Sequence, residues 1–154
     1  MSISKLIKEV QAAIEEAEEA ATDAIRASYF TLGNNIINKT PVGNPKYWKS
    51  KAPKGYSGGT LRANWISNIG APSSKYFADK EQKGAKGYAT DSLTAISSAY
   101  KVGQTLFIVN NSPYAARINN GWSVQRDVNA GWVDKEVSKF SNILNALVNK
   151  NKVK

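Results

Sequence analysis

Histidine and cysteine are both absent from the chain, and each absence removes chemistry. Without cysteine there are no disulfides and no thiolate nucleophile, which agrees with a reducing compartment. Without histidine the usual transition-metal ligands fall away, together with the imidazole base and every Ser-His-Asp or Cys-His arrangement. Carboxylates, Lys, Tyr and Ser remain for any enzymology. Acids are scarce beyond the first turns, since Glu9, Glu15, Glu16, Glu18, Glu19 and Asp23 are six of the twelve. Residues 1–23 hold two lysines against six acids, net −4; residues 24–154 hold nineteen bases against six acids, net +13, and the two give the overall +9. A long apolar run is also missing. No stretch of about 18 apolar residues is present to span a membrane, and the N-terminus lacks the order of a secretion signal. The expectation is a protein kept in the cytoplasm, with no membrane contact, no metal and no cofactor.

With 42% hydrophobic and 21% charged residues, the 154-residue chain fits one domain over 1–154 with its own core. Leu6, Val10, Ala13, Ala17, Ala20, Ala24 and Ala27 alternate spacings of four and three, with Ile7, Ile14, Ile25, Leu32 and Ile36 widening the stripe. This spacing predicts a long amphipathic helix over 4–38 with Ser4 as its cap. Two readings of its alanine-rich seam stand side by side: a helix lying across its own sheet, or an intersubunit coiled seam.

Residues 40–63 predict something different. Pro41, Pro45 and Pro53 fall there with Gly43, Gly55, Gly58 and Gly59, a density that no helix or interior strand accepts. The same stretch carries Tyr47, Trp48 and Tyr56, which a flexible linker has no use for. It predicts a long extended arm that docks on a partner. An α+β body over 64–148 follows. Its expected elements are a strand at 64–70, a polar loop or ragged hairpin tip at 73–87, and a helix capped by Thr90 or Asp91 through Tyr100. A central strand at 104–110 comes next, then a short helix begun by Ser112-Pro113, and a helix from Trp132 to about Val148. The tail 149–154 is basic and expected to fray. The fold class is α+β: a small, mainly antiparallel sheet packed by a long N-terminal helix and a C-terminal helix.

Neither Gly58-Gly59 nor Gly84 to Gly87 has the strand, helix and spacing of a nucleotide loop. Lys46, Lys49, Lys51, Lys54 and Arg62 interleave with Tyr47, Trp48 and Tyr56. With Trp65, the aromatics and Arg62 form the candidate subunit interface, because aromatics and Arg typify protein contacts. Arg62 and Trp65 are also read as a cation–π pair, or simply as a surface charge and a core ring. Lys46, Lys49, Lys51, Lys54, Lys75, Lys83 and Lys86 are candidates to lie along passing DNA. Tyr114, Arg117, Trp122 and Trp132 form a second cluster, whose plainer explanation is packing, with Tyr114 closing the sheet and Trp122 pinning the loop. A carboxylate enzyme would draw on Glu136, Asp134, Asp127, Asp91, Asp79 or Glu81, all more simply helix-start or surface acids.

Two ordered blocks resemble a known family. Thr40-Pro41-Val42-Gly43, Trp48-Lys49, Pro53-Lys54-Gly55-Tyr56, Gly58-Gly59 and Leu61-Arg62-Ala63-Asn64-Trp65 look like the opening motif of tailed-bacteriophage neck and tail-completion proteins. Ile108-Val109-Asn110-Asn111, Pro113-Tyr114-Ala115-Ala116-Arg117, Asn120-Gly121-Trp122-Ser123 and Gln125 resemble their second signature. The match runs from Thr40 to Val133, and 127–133 lacks the proline of the family's Ala-Pro-x-Gly segment. The resemblance implies a noncatalytic virion subunit, assembled in the host cytoplasm. It would form rings, often of six, that join head connector to tail around the DNA channel, as minor tail proteins of the Z type do. A tail terminator or another minor tail protein is the neighbouring reading, and a free basic nucleic-acid-binding module the reading from another class.

Overall fold

A computed structural model describes residues 2–52, 54–56, 58–78, 85–122 and 130–152. Helix α1 spans Ile3–Lys39, and Ser2 rather than Ser4 caps it, its Oγ accepting from Lys5 N at 3.3 Å. Nothing in 3–32 breaks a helix, and Gly33 is kept for packing: a Cβ there would come 2.5 Å from Leu93 Cδ1. Thr40 ends the helix ahead of Pro41, whose ring disfavours a helical residue before it. At 1.5 Å per residue α1 is about 55 Å long.

Only its second half is covered. Every residue from Ser2 to Ala20 is exposed, whereas Ala24, Ser28, Tyr29, Gly33, Ile36 and Ile37 are buried. Attachment begins where α1 meets the body: Arg26 Nε donates to Tyr100 O at 2.9 Å and Tyr29 Oη to Phe107 O at 2.7 Å. The two readings of the seam therefore divide the helix. Its second half lies on its own body, and its first half lies on none of the described residues.

The body is built from α2 (Thr60–Ala63), β1 (Trp65–Ile69), α3 (Ala85–Ala99), β2 (Leu106–Asn110), α4 (Ala115–Asn119), α5 (Trp132–Val137) and α6 (Phe140–Lys152). β1 and β2 pair antiparallel from Trp65 opposite Asn110 to Ile69 opposite Leu106. The sheet has these two strands, so β2 is half-buried and is not the central strand expected. Helix α3 packs on β1, where Ser92 Oγ meets both Ser67 N and Ser67 O. Tyr29, Ile36 and Ile37 of α1, Leu61, Trp65, Ala89, Leu93 and Trp132 make the core. The coarse architecture is thus α+β, with a long first helix and a closing pair of helices.

Three boundaries differ from expectation. Helix α3 starts at Ala85, inside the stretch expected as loop, because Ala89 and Leu93 stack on one face and the Tyr88 ring meets Phe77 edge-on at 5.3 Å. Ser112 does not cap α4. Its hydroxyl is buried with no partner among the described residues, and Tyr114 occupies the cap position. The closing helix is two, because Ser138 Oγ donates to Lys135 O and Lys139 N bonds to Glu136 O, one tightened turn. The extended arm is not found either, as described below.

Truncation should separate the two halves of α1. Ile37→Ala, fully buried, is expected to cost about 2–5 kcal/mol in a urea titration, while Val10→Ala in the exposed half should change stability by less than about 0.5 kcal/mol.

Candidate functional site

The segment from Thr40 to Trp65 begins and ends at one place. Trp65 Nε1 donates to Thr40 Oγ1 at 2.7 Å, and that hydroxyl donates to Ile36 O at 2.7 Å, so one buried threonine ties helix end to strand start. Arg62 reinforces the tie: Nε and Nη2 donate to Thr40 O at 3.1 and 2.6 Å, and Nη2 also to Asn38 O at 3.3 Å. Three donors of one planar fork thus satisfy carbonyls that the end of α1 leaves unpaired. Burial pulls the Arg62 guanidinium below its ordinary value. Between these ends the chain closes on itself. Gly58 sits at φ +72, where a Cβ would come 2.9 Å from Val42 Cγ1 and 3.0 Å from Gly43 O, so outgoing and returning strands touch.

This geometry replaces the extended arm with a closed loop whose ends are pinned. Pro45–Tyr47 forms one 3₁₀ turn capped by Asn44, whose Oδ1 accepts from Lys46 N at 3.0 Å. Trp48 and Tyr56 face each other across the loop, ring centroids 4.7 Å apart. Trp65 is buried in the core and Arg62 turns inward, so these two hold the loop from beneath and do not lie on a face open to a partner. Their role as interface residues is corrected accordingly. The guanidinium bonds to carbonyls, and the ring packs inside. Tyr47 remains on the outside with the Lys46 ammonium 5.9 Å from its ring centroid, and Lys49, Lys51 and Lys54 are exposed around the loop.

The second expected cluster divides. Trp132 is buried in the core, whereas Tyr114 and Arg117 are exposed and Trp122 is 70% exposed, with the guanidinium of Arg117 5.3 Å from its ring. The loop that Trp122 was expected to pin, 123–129, lies outside the described residues. Lys75 is exposed; Lys83 and the side chain of Lys86 lie outside the described residues, as does Asp127.

Three residues outside the expected interface and cluster carry the joints. Asn110 Nδ2 donates to Leu61 O at 2.6 Å while its Oδ1 accepts from Ser112 N at 3.1 Å, linking the end of β2 to α2 and turning the chain toward α4. Asn64, fully buried, donates to Thr60 O and Phe77 O and accepts from Phe77 N at 2.7 Å. Glu136 is only 2% exposed and takes both Lys39, at the end of α1, and Lys139 at 2.8 Å. It is not the surface acid expected. Hydrogen bonds from the two ammonium groups hold its carboxyl below the usual range, against the opposing effect of burial, and raise Lys139 in turn. Asn-Asn-Ser-Pro is a legible turn signal for Asn110, and Lys139 three residues after Glu136 is a helix pair; the partnership with Lys39 leaves no local trace.

Beside these joints, an open apolar groove of about 380 Å³ lies between α1, β2 and α6, walled by Ile25, Tyr29, Leu32, Leu106, Ile108 and Phe140. Among the described residues no group of three or more acids is placed to hold a metal, and no helix is long and apolar enough to cross a membrane. No family model matches the chain, and no curated protein or solved structure matches it.

Glu136 makes stability pH-dependent with a fixed sign. A carboxyl whose folded value is depressed stabilises above its unfolded value and loses that contribution as pH falls through the folded one. Glu136→Gln should therefore be clearly less stable than the parent at about pH 7, with the deficit shrinking below the ordinary 4.5, as followed by urea denaturation at both ends.

Proposed function

We propose that this protein is a structural virion subunit of a tailed phage. In this reading it is a ring-forming neck or tail-completion protein that joins head connector to tail around the DNA channel. The observation that carries the reading is that its two signature blocks are one physical unit. Trp65, the last residue of the first block, pairs with Asn110 of the second at the end of the sheet, and Asn110 also donates to Leu61 O. The pinned loop then serves as a rigid docking element, preorganised and so losing little entropy when it meets a neighbouring ring. Tyr47 is its outermost aromatic, with Trp48 and Tyr56 braced behind. Assembly, with no catalysis, is the work this assigns.

The exposed lysines at 46, 49, 51, 54 and 75 suit a channel wall that attracts phosphate without reading bases. They also suit the second reading, a free nucleic-acid-binding module. That module predicts solution binding which falls by orders of magnitude between low and moderate salt, if about six or more phosphates are contacted.

Lysates lacking the protein should accumulate DNA-filled heads and separate tails, and purified protein should join them. The triple variant Lys46→Ser, Tyr47→Ser, Lys49→Ser, altered only at exposed positions, should melt like the parent and fail to join them. Joined particles formed without the protein would refute the neck reading.

A further inference from the structure

The first half of α1 is a helix with an apolar side and, among the described residues, nothing against it. Ile3, Leu6, Ile7, Val10 and Ile14 each keep half or more of their surface in water. At about 100° per residue they fall on one side, with Ala13 and Ala17 between them. A stripe of aliphatic side chains on an exposed helix signals an interaction surface.

The same side of α1 continues into the groove, where Ile25 and Leu32 stand about three and five turns beyond Ile14. That continuity decides where the occupant comes from. The groove wall is α1 itself, so the free half reaches it only by breaking the helix near Ala21, where neither Gly nor Pro weakens it. The occupant therefore comes from another molecule. Charge identifies it. Residues 1–20 carry net −3 and the rest of the chain +12, and Lys101 and Lys139 adjoin in sequence the groove residues Tyr100 and Phe140. Glu9 and Glu18 flank the stripe on opposite sides, at roughly a right angle to it, where they meet the rims of whatever receives it. Pairing stripe with stripe would instead bring two net −3 segments within the Debye length of about 10 Å.

We propose that the free half of α1 from one copy lies in the groove between α1, β2 and α6 of a second copy. Its footprint, about 27 Å by 10 Å, is small for a lasting contact, so association depends on concentration unless copies close a ring or exchange helices reciprocally. The neck reading docks the pinned loop on a neighbouring ring and leaves the free half of α1 without a role. This inference supplies one and does not depend on that reading.

Two variants of the full chain test it by sedimentation at concentrations on the order of 1 to 100 µM. One breaks the helix stripe (Ile7→Glu, Ile14→Glu); the other blocks the groove rim (Gln104→Glu, Thr105→Glu, both exposed). Parent protein should self-associate, more weakly at high salt. Each variant alone should weaken association by about 100-fold or more, with circular dichroism and melting unchanged. Mixed, they should form a one-to-one complex, since the second still offers a helix and the first still offers a groove. A parent that stays monomeric overturns the proposal. So does a groove variant that dimerises alone while the mixture forms no complex, which is pairing of stripe with stripe. A reciprocal dimer of the parent, with the mixed complex formed, supports the proposal and counts against the ring.

Discussion

Much of this structure hangs on the hydroxyl of Thr40. It closes α1 by donating to Ile36 and receives the indole N–H of Trp65, so one buried group joins the longest helix, the pinned loop and the sheet. Trp65 can then bury its ring with its polar edge satisfied, which a tryptophan in a core requires. Arg62 acts on the adjacent carbonyl with the same effect. Replacing Thr40 by an apolar residue of similar shape would orphan the indole and weaken loop and sheet together.

A second constraint is electrical. A basic body carries a projecting acidic helix, and α1 is continuous through the junction. The body anchors α1 through Arg26, Tyr29 and, at its far end, the pair of Lys39 with Glu136. Beyond that anchorage the described contacts of the helix are its own backbone bonds, Ser2 as cap and the exposed pair of Lys5 with Glu9, none of which covers the apolar stripe.

The elements themselves were legible where periodicity and punctuation agree. The 4–3 spacing marked α1, β-branched residues marked β2, and Asn120-Gly121 closed α4. The coiled-seam reading was also on the page, because Ile7 and Ile14 repeat with Ile25 and Leu32; what spacing does not encode is where along one helix burial begins. The loop was misjudged for a related reason. Proline and glycine density reports that no regular element forms, yet whether the ends meet depends on side chains 25 residues apart, Thr40 and Trp65. Arg62 and Trp65 were noticed for their chemistry and assigned outward, since aromatic and guanidinium groups serve cores and interfaces alike. Glu136 reads as a surface acid in the sequence because its partner Lys39 is 97 residues away.

We propose that pinned loop, basic body and projecting helix serve a subunit that joins copies of itself, whatever larger particle holds them. Hydrogen exchange with mass analysis, run on dilute and on concentrated protein, tests that directly. Amides of residues 24–39 and 60–69 should be protected at both concentrations, while those of 3–20 should exchange quickly when dilute and slow markedly when concentrated. Equal protection of 3–20 at every dilution, or none at any concentration, would contradict the account.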